Sequence, residues 1–190
     1  MSILGIIPAK GHSNRLPDKN KLKINGRTLV EYTIDAAING CIEDIILASD
    51  DDEILSLADK YGGIIQVMKR PQELSQDGKE VPDVVKYVID NIDKKYDGYA
   101  ILQPTSPLRT SQSIQKCVRT FLNCQYEFVY GATMIDSVKT VVPNGSIYII
   151  RDENSWWSEN SCAVILPEEE CIDIDTPLDF KIAKVIMNDC

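Results

Sequence analysis

Short apolar runs alternate with helical periods along the whole chain. Residues 3–8 are apolar up to a closing proline, which predicts a buried first strand. Residues 45–48, 64–68, 99–102, 128–132, 146–150 and 163–166 predict further strands of the same kind. Between them, Val30, Ile34, Ala37 and Ile38 fall at i, i+4, i+7 and i+8, one face of a helix. Ile54, Leu55, Leu57, Ala58 and Tyr61 predict a second helix. Val81, Val84, Val85, Val88, Ile89 and Ile92 form the cleanest helical stripe of all. Ile114, Cys117, Val118, Phe121 and Leu122 predict another, with Thr110 or Ser111 as its cap. Leu178, Ile182, Val185 and Ile186 predict the last. Strands that are apolar throughout are buried on both faces, so helices must cover each side of the sheet. The expected fold is α/β: three layers, doubly wound, with a mostly parallel, Rossmann-like sheet, in one domain over residues 1–190.

Composition narrows what such a domain can do. With 190 residues, 44% of them hydrophobic, the chain can bury a core without staples. A net charge of −9 argues against a partner that presents a nucleic-acid backbone, since the summed field repels phosphate. A small phosphate ligand remains open, because local Lys and Arg can hold it. No apolar run approaches the roughly 18 residues needed to cross a membrane, and no basic region precedes the first apolar stretch. A cytoplasmic protein without membrane partners is expected. Six cysteines (41, 117, 124, 162, 171 and 190) include no Cys-x-x-Cys pair and stand beside a single His. Reduced thiols are expected, and a Cys/His zinc site is not.

Ligands of doubly wound sheets bind beyond the carboxyl ends of the strands, so the polar residues there carry the candidate chemistry. After the first strand, Lys10, Arg15 and Lys19 fall within ten residues, with Gly11, Ser13 and Asn14 among them. Such a loop is either a solvated basic turn or a polyphosphate cradle, and its place after the first strand favours the cradle. It is neither a Gly-x-x-x-x-Gly-Lys-Ser/Thr loop nor Gly-x-Gly-x-x-Gly. After the second strand, Asp51, Asp52 and Glu53 read as the cap and first turn of a helix, while Ser49 and Asp50 stay open. Arg70, after the third strand, reads equally as a surface residue or a rim residue. Gln103 opens a rigid, proline-bounded turn that serves either substrate reading or simple helix initiation. Asp173 and Asp175 share one face of an extended segment with no Lys or Arg adjacent in sequence, which points to a divalent cation such as Mg²⁺ between or near them. Thr176 or Asp175 could cap the final helix, with Pro177 in its first turn. Trp156-Trp157 reads first as a partly exposed loop pair and second as a pocket wall, and His12 as solvent-facing.

Several strings together resemble the cytidylyltransferases that make CMP-activated sugar acids, above all the CMP-sialic acid synthetases (acylneuraminate cytidylyltransferases). They are Ile7-Pro8-Ala9-Lys10-Gly11 through Leu16-Pro17-Asp18-Lys19-Asn20, Ser49-Asp50, Arg70-Pro71 with Leu74 and Asp77, Leu102-Gln103-Pro104-Thr105-Ser106-Pro107-Leu108-Arg109, Asn144-Gly145-Ser146-Ile147-Tyr148-Ile149, and Asp173-Ile174-Asp175-Thr176-Pro177-Leu178-Asp179-Phe180. They occur in family order over nearly the whole chain. The resemblance implies that Lys10, Ser13, Lys19, Asn20 and Arg70 hold CTP. It implies that Gln103, Lys139 and Tyr148 contact the sugar acid, and that Asp173 and Asp175 hold Mg²⁺. Lys19, Asp173 and Asp175 are then the catalytic group for attack of the anomeric hydroxyl on the α-phosphorus, with pyrophosphate leaving.

Three departures from the family pattern stand out. Lys10 occupies the place of the usual arginine, and Gly78-Lys79-Glu80-Val81 replaces small hydroxyl residues. Only 11 residues separate Ala132 from Asn144, where relatives carry a long insert that pairs subunits, so the expected chain is a short member for which a homodimer is open. Two alternatives accompany the main expectation. One is a keto-deoxy-octulosonate-type cytidylyltransferase, from Arg15-Leu16-Pro17-x-Lys19. The other is a catalytically silent nucleotide-binding domain.

Overall fold

The computed structural model describes residues 2–76 and 78–188. Asp77, counted in the resemblance, and Cys190 lie outside the described residues. The strands are β1 (Ile3–Pro8), β2 (Lys23–Ile24), β3 (Arg27–Thr28), β4 (Asp44–Ser49), β5 (Ile65–Lys69), β6 (Gly98–Ile101), β7 (Phe128–Ile135), β8 (Thr140–Ile150) and β9 (Ser161–Ile165). The helices are α1 (Leu29–Ile38), α2 (Asp52–Ser56), α3 (Val81–Asp90), α4 (Ser111–Cys124) and α5 (Pro177–Asn188). Seven strands form one sheet in the order β5-β4-β1-β6-β8-β7-β9. The pairs β1–β4, β1–β6, β4–β5 and β7–β9 are parallel, and β8 runs antiparallel to both β6 and β7.

Alternation along β1 shows why the sheet needs two covers. Ile3 and Ile7 pack into one cluster with Val30, Ile34, Cys117 and Phe121 from α1 and α4. Leu4 and Ile6 pack into another with Val84, Val85 and Val88 from α3. A third, smaller cluster joins Leu16 and Ile24 to Ile174 and Ala183, so the last helix is fastened beneath the loop that follows β1. The expected three layers are present.

Local differences have local causes. The second predicted helix is five residues of α2 followed by a 3-10 turn, Leu57–Tyr61, ended by Gly62 at φ 59°. The edge strand β5 leaves Gln66 and Val67 exposed instead of burying both faces. The predicted strand at 146–150 is the inner half of β8, which continues outward with β7 as a hairpin arm whose turn lies at residues 136–139.

Capping fixes the starts of the helices that carry the site. Thr28 accepts from the Glu31 amide, and the Glu31 carboxylate accepts from the Thr28 amide and hydroxyl, both at 2.8 Å. Burial pushes the Glu31 carboxyl up, but the bonds from Lys60 and Thr28 reverse this and hold it at about 2, below its ordinary 4.5. A depressed folded pKa stabilises above the unfolded value, and that stability is lost as pH falls from about 4.5 towards 2. Glu31→Gln is therefore expected to destabilise by about 1–2 kcal/mol at pH 7, after allowance for the exposed Lys60 partner. The gap should narrow as pH falls from about 4.5 towards 2 in urea melts; a gap independent of pH would contradict the assignment.

Candidate active site

The loop after β1 is built to approach other backbone closely. Gly11 donates its amide to Asp50 Oδ1 at 3.1 Å, and a Cβ on Gly11 would meet Asp51 Cβ at 2.6 Å. Asn20 Nδ2 donates to the Lys10 carbonyl at 2.8 Å and closes the loop on itself. Asp50 also accepts from Arg70 Nη2 at 3.2 Å, so it joins the loop to the end of β5. Burial raises the Asp50 carboxyl, yet the Ser75 hydroxyl, the Gly11 amide and the Arg70 charge leave it below the ordinary value. Arg70 is 5% exposed, a rim residue and not a surface one, and burial disfavours its charged form more than Asp50 restores it. Asp51 accepts from the Glu53 and Ile54 amides and caps α2, as expected.

These groups surround a cleft of about 540 Å³. Lys10, Ser13, Asn14, Arg15, Lys19, Asn20 and Arg70 line it, and so do Gln103, Pro104, Thr105 and Tyr148. The chain's two distant charge clusters meet at its rim. Lys19 Nζ donates to Asp175 Oδ1 at 2.7 Å, and Arg15 Nη1 to Asp175 Oδ2 at 2.5 Å. No Lys or Arg adjoins the Asp pair in sequence; the fold brings two cations to Asp175 from a loop some 160 residues earlier.

Asp173, two residues earlier, is exposed to solvent on one side but crowded by protein on the other. That crowding is the main reason its pKa is raised; Asp175 adds to the rise, while Thr105 and Lys19 oppose it. Ile174, between the two carboxylates, is fully buried and donates its amide to the Thr105 carbonyl at 2.7 Å. Thr176, not Asp175, caps α5: its hydroxyl accepts from the Asp179 amide and donates to Asp179 Oδ2. Asp175 is left to hold Lys19 and Arg15.

Gln103 Nε2 donates to the Gly145 carbonyl at 3.3 Å. A Cβ on Gly145, at φ 78°, would sit 3.7 Å from Asp173 Oδ2 and 3.9 Å from Gln103 Nε2, so the turn, Gln103 and Asp173 share one corner. Tyr148 stacks on Phe128, with ring centroids 6.0 Å apart. Trp156 and Trp157 also line the cleft and meet Tyr148 edge-on at 5.7 and 6.1 Å. The two tryptophans stand on a loop, with Trp157 61% exposed, and also wall the cleft, so both readings of the pair hold. Trp157 sits at φ 59°, unusual for an aromatic residue, held by contacts to Phe128, Tyr130 and Tyr148. Adjacent aromatics just past a buried strand were the available signal.

Lys139 is not brought to the cleft. It stands exposed in the turn of the β7–β8 arm, six residues beyond Gly145, roughly 20 Å along the strand. His12 is exposed. Among the described residues no group of three or more His, Cys, Asp or Glu side chains could enclose a metal. The donor set is two carboxylates beside a basic loop. Mg²⁺ is commonly bound by one or two carboxylates, with phosphate oxygens and waters completing its shell, so the residues present fit it. Among the described residues no helix is long and apolar enough to cross a membrane.

Known proteins resemble this chain in sequence and in fold. The chain is 31% identical to CMP-N,N'-diacetyllegionaminic acid synthase of Legionella pneumophila, over 98% of its own length and 97% of that protein. It is 27% identical to N-acylneuraminate cytidylyltransferase of Escherichia coli O18:K1:H7, over 97% of its own length, but it spans only about half (52%) of that protein. These alignments run over 228 and 219 positions against a chain of 190 residues, so the relatives carry segments this chain lacks. The structure of CMP:2-keto-3-deoxy-manno-octonic acid synthetase complexed with CTP has the same fold, with a TM-score of 0.78 at 15% identity, covering 100% of this chain and 99% of that one. The profile of the cytidylyltransferase family matches residues 4–167, from β1 past the end of β9, and the chain belongs to that family.

Proposed function

We propose that this chain activates a nonulosonic sugar acid, of the sialic, legionaminic or pseudaminic type, with CTP, giving the CMP-sugar and pyrophosphate. The observation that carries the reading is the 2.7 Å contact between Lys19 and Asp175, which joins the basic loop and the acidic pair in one cleft. Lys10, Ser13, Asn20 and Arg70 hold the nucleotide, and Lys19 neutralises charge that builds on the phosphate oxygens. Gln103 reads the sugar, and Tyr148 with the tryptophan pair forms its apolar wall. Asp173 and Asp175 are the residues that would hold Mg²⁺, which when bound supplies further charge neutralisation at the phosphates. The anomeric hydroxyl attacks the α-phosphorus, and the bond to the bridging oxygen of the β-phosphate breaks. Such a displacement is governed by positioning and charge. Lys139 has no part in it on this geometry, and the sugar-acid carboxylate is left to the cations lining the cleft.

The test is pyrophosphate release from CTP and Mg²⁺ with a panel of sialic, legionaminic, pseudaminic and keto-deoxy-octulosonic acids, alongside calorimetry with CTP. Turnover with one of the first three is expected. Turnover only with the last would assign the alternative substrate. Binding of CTP without turnover on any acid would leave a silent nucleotide-binding domain and overturn the proposal.

A further inference from the structure

We infer that Arg109 is the positioning residue of the sugar side of the cleft, an inference that rests on the reading above. Arg109 lies outside the cleft lining and is 3% exposed. Burial disfavours its charge, and Glu170 only partly compensates. A cation kept in so dry a place needs strong partners, and Arg109 takes them from three separate elements. Its Nη1 donates to the Gln103 carbonyl at 3.1 Å and to the Ser146 carbonyl at 2.5 Å. Its Nη2 donates to Thr33 Oγ1 on α1 at 2.9 Å. One planar guanidinium thus fixes Gln103 against the Gly145–Ser146 turn, the contact that orients the Gln103 amide.

The same network reaches the carboxylates. Glu170, buried beside Arg109, accepts from the Thr110 amide at 3.2 Å and hydroxyl at 2.9 Å. It sits on the 3-10 turn Glu168–Cys171, directly before the segment that carries Asp173 and Asp175. Thr105, in the loop that Arg109 ends, holds Ile174 between them. The nucleotide end of the cleft is built differently, on Asp50, Arg70 and the loop after β1, with no member of this network. Loosening Arg109 should therefore disturb sugar-acid use and leave nucleotide affinity in place.

Arg109→Lys keeps the charge and loses the fork. The experiment compares it with wild type by kcat and KM for each substrate, by CTP calorimetry, and by amide exchange across residues 103–109 and 172–176. Expected are a drop of tenfold or more in kcat/KM for the sugar acid, CTP affinity within about twofold, and faster exchange at the Ile174 amide. Equal losses for both substrates, or no change in either, overturn the inference. If Arg109→Lys does not fold, Thr33→Val decides, since it removes one acceptor at nearly constant volume. A several-fold loss confined to the sugar acid supports the inference, and unchanged constants overturn it. Wild-type turnover is the control for the functional reading. If wild type is inactive, that reading fails on its own, and exchange at Ile174 still reports on Arg109.

Discussion

Asp173→Asn is expected to melt above the wild type at pH 7 while turning over about 10²–10³-fold more slowly. Both effects come from one cause. Crowding by protein, and after it the neighbouring Asp175, raise the Asp173 pKa above its ordinary 3.8. An acid whose folded pKa is raised is less favourably ionised in the fold than in the unfolded chain. Its charge therefore costs stability above the folded pKa, and the cost disappears as pH falls below the unfolded value. Asparagine removes the charge and can still accept from Thr105. The melting advantage should be present at pH 7 and vanish below about pH 4. With CTP and Mg²⁺ the order should reverse, because ligand stabilises only the protein that binds it well. A variant that melts lower than wild type at every pH, or that keeps wild-type turnover, would contradict this account of the acidic pair.

Much of this was legible in the chain. Apolar runs gave the positions of most strands, and 3.6-residue stripes gave those of α1, α3 and α4, because burial on both sheet faces writes itself into sequence. Direction does not: β8 reads as apolar as β6, and nothing in 146–150 says that it runs the other way. The β2–β3 hairpin went unread because two-residue strands show no period, although Asn25-Gly26 is a known signal for such a turn and both residues have positive φ. At the site, the basic loop and Gln103 stood where strand ends predicted them. That the basic loop and the acidic pair share a site followed from the resemblance, but the individual contacts between them did not. Arg15 and Lys19 reach Asp175 only after α5 docks beneath the loop through Leu16, Ile24 and Ala183. Arg70 stayed open between surface and rim for a like reason: its burial is decided by neighbours from other elements. Lys139 was carried over from a family in which the surrounding insert is longer, and in this chain it stands in the exposed turn of the hairpin arm.

The two cations on Asp175 should differ sharply in what their loss does. Arg15 is 71% exposed at its side chain and Lys19 11%, though their contacts to Asp175 are almost equally short. An exposed ion pair is worth about 0–1 kcal/mol, since water and salt screen it. Arg15→Met is therefore expected to change kcat/KM for CTP by no more than about fivefold, an effect that shrinks further in 0.5 M salt. Lys19 is mostly shielded from water, lines the cleft and holds Asp175 at its rim. Its charge acts there in a lower dielectric, on phosphate oxygens that gain charge as the bond breaks. Lys19→Met should lower kcat by about 10²–10³-fold, with little change in salt dependence. Lys19→Arg should recover only part of this, because the longer planar group cannot reproduce the 2.7 Å single contact to Asp175 Oδ1. Steady-state kinetics of the three variants at low and high salt measure the difference. Equal losses for Arg15→Met and Lys19→Met would mean that burial does not rank these cations, and that Lys19 contributes to the cleft only as one more surface charge.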